Sequence, residues 1–265
     1  MNYEFIKVVH KDHLCIITID RPDVLNALSP ATSFEMAAAF DEFEANQDLW
    51  VAIVTGSGQK AFSVGGDISV MVNAEEVEDY VMPESGYGGL TSRVHCYKPI
   101  IAAVNGMALG GGFEVALAAD IIIAVEGAVF GLPEPKIGAA AVAGGMHRLV
   151  RQIGLKPAMG ILLTADSVSA QEGHRLGFVN SVVPSNQLME IAVNTANKII
   201  QCAPLAIQAT KQAVMEGLNF ASLDGLQQAQ KEGQFDRLET MFKSSDIKEG
   251  LTAFMEKRKP NWQAK

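Results

Sequence analysis

The chain is poor in cysteine, in aromatic residues and in positive charge. Only three cysteines occur, Cys15, Cys96 and Cys202, far apart and none in a CxxC pair. That excludes a disulfide-stapled fold and points to a reducing compartment, each cysteine reading as a small hydrophobe. Lys and Arg total 21 against 30 Asp and Glu, a net charge of −9. Such a balance argues against nucleic-acid partners and against anionic membrane surfaces. The longest apolar stretch, residues 115–125, is interrupted by Asp120 and falls short of the roughly 20 residues a bilayer span needs. The N-terminus has no basic stretch followed by an apolar run, so an exported chain is not expected and a cytoplasmic one is. Five histidines, His10, His13, His95, His147 and His174, show no ligand spacing, so no metal site is expected. A GxSxG elbow, a Walker A loop and GxGxxG spacing are all lacking.

What is present fits one large core. Of 265 residues, 48% are hydrophobic and 19% charged, which excludes a disordered chain. Residues 5–9 and 14–20 are rich in Ile and Val and predict a hairpin around Lys11, Asp12 and His13. Ser29 and Pro30 predict a helix start, with Met36, Phe40 and Phe43 as its buried stripe. Residues 50–55 read as a buried strand, 99–104 as another, 111–119 as a helix and 121–125 as a strand. That rhythm is α/β with mostly parallel strands, in roughly three units. Ser169 and Glu172 form a capping-box pattern whose helix Gly177 should end, followed by a last strand over 178–183. Residues 187–202, 204–217, 222–240 and 246–257 carry helical periodicity. The expected division is an α/β core over 1–195 and a helical region over 196–265. Residues 71–93 have no period and read as a functional or a mobile loop.

Three stretches carry chemistry. NGMALGGGFE at 105–114 sets three glycines between a strand and a helix. It leaves backbone amides and the positive end of a helix dipole open to a ligand, with Glu114 on the face of Gly111. On these residues alone, a turn that merely permits close packing explains the glycines equally well. A second turn, AFSVGGDI at 61–68, presents another amide; two amides aimed at one oxygen make an oxyanion hole. Glu134, between Pro133 and Pro135, is held by its flanking prolines and by itself reads as a surface turn. Paired with Glu114 beside such a hole, it would complete a general acid and base.

These stretches, with DRPDVLNAL at 20–28, residues 98–120 and 130–149, and FMEKRKPNW at 254–262, resemble the crotonase superfamily, the enoyl-CoA hydratases and isomerases, in order and spacing. The resemblance implies a crotonase-like spiral of ββα units, a helical C-terminal trimerisation region, and a homotrimer or a hexamer made of two trimers. It assigns the oxyanion amides to Gly66 and Gly111 and the two hydratase glutamates to Glu114 and Glu134. An acyl-CoA thioester is the implied substrate, with CoA along Val24, Leu25 and the turn of Val64, Gly65, Gly66, Asp67 and Ile68. Phe254 and Lys257 would reach a neighbouring subunit's CoA, with Arg258 and Lys259 as further cations for its phosphates. CoA comes with the substrate and no tightly bound cofactor is implied. The alternatives are a Δ3,Δ2-enoyl-CoA isomerase, which needs one acid/base, and a non-catalytic acyl-CoA-binding subunit. Three departures stand out: Asp23 where the family favours lysine, Val64 where alanine is frequent, and Ala141 where proline is usual. Residues 110–120 and the tail look similar to carnitinyl-CoA dehydratase-type members.

Overall fold

The computed structural model describes residues 3–73 and 80–265. Two compact units divide the chain, Met1–Val94 with Ile100–Asn194, and His95–Pro99 with Thr195–Lys265.

The first unit alternates long and short strands. It runs β1 (Ile6–Lys11), β2 (Leu14–Ile19), helix α1 (Pro30–Ala45), β3 (Val51–Gly56), β4 (Ala61–Ser63), α2 (Ile68–Asn73), β5 (Ile100–Val104) and β6 (Met107–Leu109). Then follow α3 (Gly111–Ala118), β7 (Ile121–Val125), β8 (Val129–Gly131), α4 (Gly145–Ile153), α5 (Leu155–Thr164), β9 (Val168–Ser169), α6 (Ala170–Leu176) and β10 (Ser181–Val183). Long strands form one sheet in the order β1-β2-β3-β5-β7-β10, and short ones a second in the order β4-β6-β8-β9. Only the β1–β2 hairpin is antiparallel in the first sheet; β4, β6 and β8 are parallel in the second. Successive strands therefore alternate between two sheets, then a helix returns the chain: β3-β4-α2, β5-β6-α3 and β7-β8-α4 are three ββα turns of a spiral.

The local chemistry explains these elements. All six residues of β3 are buried, the unbroken apolar pattern of a strand covered on both faces. Ser29 Oγ accepts from the Thr32 amide and caps α1, whose Met36, Phe40 and Phe43 are fully buried. Phe113, Phe130 and Phe178 meet with ring centroids 5.1–5.2 Å apart. They anchor α3, β8 and the approach to β10 to one another; such pairs each add about 0.5–1.5 kcal/mol beyond area burial.

Several expectations are corrected. The last strand spans only Ser181–Val183, because Gly177 caps α6 and the Phe178 and Val179 amides are spent on the Gly173 carbonyl. Only half of the capping box forms: Ser169 Oγ accepts from the Glu172 amide, while the Glu172 carboxylate pairs with Arg175. Part of the 71–93 segment is helical, through residue 73, and residues 74–79 lie outside the described chain.

The second unit takes in the end of α7 (Leu188–Ile200), with α8 (Pro204–Gly217), α9 (Leu223–Lys231), α10 (Asp236–Lys243) and α11 (Ser245–Glu256). The single helix expected over 222–240 is two, broken at Gly233 with φ +75. Glycine reaches that left-handed conformation without a Cβ penalty. The chain end folds back on α11: the buried Asp246 carboxylate accepts from the Gln263 and Ala264 amides at 2.8 and 2.9 Å. Among the described residues no helix is long and apolar enough to cross a membrane.

Candidate active site

The three parallel short strands end at the residues that matter. Gly65 and Gly66 follow β4, Gly110 and Gly111 follow β6, and Glu134 follows β8. Adjacent parallel strands thus deliver the two glycine turns and one carboxylate to one edge of one sheet.

The two glycine turns touch. A Cβ built on Gly65 would lie 2.7 Å from Gly111 N and 2.8 Å from Leu109 O. Gly65 also has φ +89, so both space and conformation demand glycine. Residues 22–28 hold this turn from its other side. The Leu28 amide donates to Gly65 O at 2.7 Å, the Val64 amide to Leu25 O at 3.2 Å and the Asp67 amide to Leu28 O at 3.2 Å. Among the described residues the Gly66 and Gly111 amides have no backbone acceptor. Gly111 opens α3, where orphan N–H groups and the helix dipole favour negative charge.

The Asp67 carboxylate is engaged by neighbouring side chains. Its carboxylate accepts from Ser69 Oγ at 2.6 Å and pairs with Arg21 at 2.9 Å. Burial pushes that carboxyl up, but the Ser69 hydroxyl and the Arg21 cation outweigh it and hold it below its usual range. Arg21 also donates to Ala27 O at 2.6 Å, so one guanidinium ties the 22–28 segment to the glycine turn. Val24 and Ile68 are exposed beside it, and Leu25 sits at φ 54 in the left-handed region.

Glu114, in the first turn of α3, is 3% exposed. Its Oε1 accepts from the Gly145 amide at 2.9 Å. Burial pushes its carboxyl up to about 7; the Gly145 and Ala143 amides and Arg148 pull back, while Glu134 adds to the rise. Glu134 begins a 3-10 turn, Glu134–Ile137, between Pro133 and Pro135, with Gly138 at φ 78 closing it. Its Oε1 approaches Gly110 so closely that a Cβ there would stand 3.2 Å away. Among the described residues its buried Oε2 has no hydrogen-bond partner. Burial raises this carboxyl as well. The structure therefore brings the glycine turns of Gly66 and Gly111 close to Glu114 and Glu134.

Sequence reasoning missed two tyrosines and an arginine. Tyr87 lies between the glycine turns: a Cβ on Gly111 would meet its Cδ1 at 3.1 Å, and one on Gly66 its hydroxyl at 3.3 Å. Tyr80 donates its hydroxyl to Leu28 O at 3.0 Å. Burial raises both phenols, and the charges of Glu114 and Glu134 raise Tyr87 further. Both lie in the aperiodic segment, where no pattern marks individual side chains. Arg148, in α4, donates to Thr91 O at 2.8 Å and lies in the field of Glu114.

In the second unit, Phe254 is 82% exposed, and Lys257 caps α11 at φ 55. Arg258 pairs with both Glu249 oxygens at 2.6 and 2.8 Å and with Glu256 at 2.6 Å.

Comparison with known proteins identifies the family. The family model described as enoyl-CoA hydratase/isomerase matches residues 10–265. A probable mitochondrial enoyl-CoA hydratase of Dictyostelium discoideum is 39% identical over 261 residues, covering 96% of this chain and 89% of that one. A carnitinyl-CoA dehydratase of Salmonella typhi is 40% identical over 249 residues, covering 94% of each. The crystal structure of an enoyl-CoA hydratase from Mycobacterium tuberculosis H37Rv superposes with a TM-score of 0.90 at 39% identity, covering 98% of this chain and 99% of that one.

Proposed function

The chain belongs to the enoyl-CoA hydratase/isomerase family, and from that premise we propose that it adds water reversibly across the α,β double bond of an enoyl-CoA thioester. The observation that carries this reading is the buried Glu114 carboxyl, raised in part by the half-buried Glu134 carboxyl, beside two amides without a backbone acceptor. An isomerase needs one proton shuttle; two acids of raised pKa fit a reaction that moves one proton off water and another onto carbon.

The thioester oxygen accepts from the Gly66 and Gly111 amides, which stabilise the charge that builds there as the β-carbon is attacked. One water lies between Glu114 and Glu134. Glu114, titrating near neutrality, takes a proton as the hydroxyl bonds to the β-carbon. Glu134 gives its proton to the α-carbon, and proton exchange between the pair restores the starting state. An acid of the strength of Glu114 operates close to both protonation states at neutral pH. The reverse reaction dehydrates a 3-hydroxyacyl-CoA.

CoA follows the backbone of Val24 and Leu25 and the turn from Val64 to Ile68, with Gly65, Gly66 and Asp67 shaping the turn. Phe254 and Lys257 serve the CoA of a neighbouring subunit in a trimer or a hexamer. The reaction calls for no cofactor beyond the CoA that arrives with the substrate. The test is incubation with linear, branched and γ-substituted 2-enoyl-CoAs, following loss of the conjugated thioester absorbance. Loss with the linear or substituted substrates supports hydration. No loss with any, together with conversion of 3-enoyl-CoA to 2-enoyl-CoA, would replace it by isomerisation.

A further inference from the structure

Arg148 is a partly buried cation that the proposed chemistry does not use. Among the described residues it makes no ion pair; its hydrogen bonds go to backbone carbonyls, from Nη2 to Thr91 O at 2.8 Å and from Nη1 to Ala143 O at 3.5 Å. A Cβ built on Gly144 would fall 2.0 Å from Nη1, so the guanidinium lies directly against residues 143–145. That short loop supplies the amides of Ala143 and Gly145 to the Glu114 carboxylate. Thr91 closes the segment that carries Tyr87, whose Gly88 amide is pinned to Ser33 Oγ of α1 at 3.3 Å. One side chain thus spans the loop that clamps Glu114 and the segment that places Tyr87.

Withdrawing an unpaired guanidinium from water is costly, and a neutral side chain of similar length would fill the same space. The charge is what such a replacement would lose. The groups that face Glu114 are Glu134 from the turn after β8, Tyr87 from the 3-10 turn Tyr87–Gly89, the two amides of the 143–145 loop, and Arg148 from α4. Of these, Glu134 opposes ionisation of Glu114, and Arg148 and the amides favour it.

We propose that Arg148 is a positioning residue for Glu114: its guanidinium locks the 143–145 loop to the Tyr87 segment and supplies positive charge that keeps the carboxylate available as a base. The kinetic part of this proposal rests on the hydratase reading; the electrostatic part does not. The test uses the full-length protein and the variants Arg148→Gln and Arg148→Lys. The Glu114 carboxyl is titrated by NMR with carbon-labelled glutamate, its signal assigned by its absence in Glu114→Gln. In Arg148→Gln, which keeps donors but loses charge, the Glu114 titration should move to higher pH by about one pH unit. The acid limb of kcat/KM for a short linear 2-enoyl-CoA should move with it. Arg148→Lys keeps the charge but not the two-carbonyl span, so it should titrate near the wild type with a lower kcat at unchanged KM. An unmoved Glu114 titration in Arg148→Gln overturns the proposal. Should that variant fail to fold, an unchanged kcat in Arg148→Lys overturns it instead. If no enoyl-CoA is hydrated even by the wild type while the titration still moves, the hydratase reading falls and the role of Arg148 toward Glu114 stands.

Discussion

Gly65 and Gly111 stand so close that a single methyl on Gly65 would lie 2.7 Å from Gly111 N. The contact joins two turns of the spiral, and it is made at the amide that opens α3. Gly65→Ala must therefore push the turns apart and also strain a φ of +89. The expected outcome is a folded protein whose turnover falls by about 10²–10³-fold, the loss typical of one missing oxyanion donor. Circular dichroism and oligomer size check the fold, and the absorbance assay checks turnover. Gly111→Val should fail more completely, since its side chain also collides with the Tyr87 ring, 3.1 Å from where a Cβ would stand.

Replacing either glutamate by glutamine tests the shared water. Gln keeps shape and can still accept from the Gly145 amide, but it cannot take or give the proton. Each of Glu114→Gln and Glu134→Gln should lower hydration by about 10²–10⁴-fold. If both groups act on one water, the double variant should lose little more than the worse single one. A near-normal rate in Glu114→Gln alone would leave Glu134 as a lone shuttle and favour the isomerase.

Much of this site was legible because it is built from glycines and carboxylates next to strands. A glycine run between a strand and a helix has few physical uses, and Glu114 shares a helix face with Gly111. The second sheet was harder to read. β4, β6 and β8 have three residues each, too few for a two-residue alternation to show. Yet their parallel pairing is what gathers Gly66, Gly111 and Glu134. The partners of Arg148 were hidden for another reason: Thr91 is 57 residues away and contributes a carbonyl, which every residue has. Tyr87 gave no sign because its segment has no period, and the break at Gly233 was masked by apolar residues that continue at helical spacing beyond it.

The tail makes a prediction about assembly. Leu251, Phe254 and Met255 are exposed by 68%, 82% and 80%. Their spacing of three and four puts them on one face of α11, an apolar surface of the kind that marks an interface. Sedimentation equilibrium at micromolar concentration should give three or six times the 28.3 kDa of one chain. A monomer would count against both the trimer and the cross-subunit role of Lys257.

The raised carboxyl of Glu114 makes a prediction about stability. Burial lifts it to about 7, whereas in the unfolded chain it titrates near 4.5, the ordinary glutamate value. Between those values the folded protein holds a proton that the unfolded chain has released. Stability contributed by this group is therefore present below the unfolded pKa, declines as pH rises through the window, and levels off above about pH 7. The full swing is on the order of 3 kcal/mol. Glu114→Gln is neutral at every pH and escapes this loss, although the rise at Glu134 keeps a trend of the same sign. Urea unfolding at fixed protein concentration, from about pH 5 to about pH 8, should show the variant gaining on the wild type as pH increases. Parallel curves would mean that Glu114 is ionised throughout and has no raised pKa. The same variant should then bind acyl-CoA but hydrate it poorly, so a site whose ionised form costs stability would be the one the reaction requires.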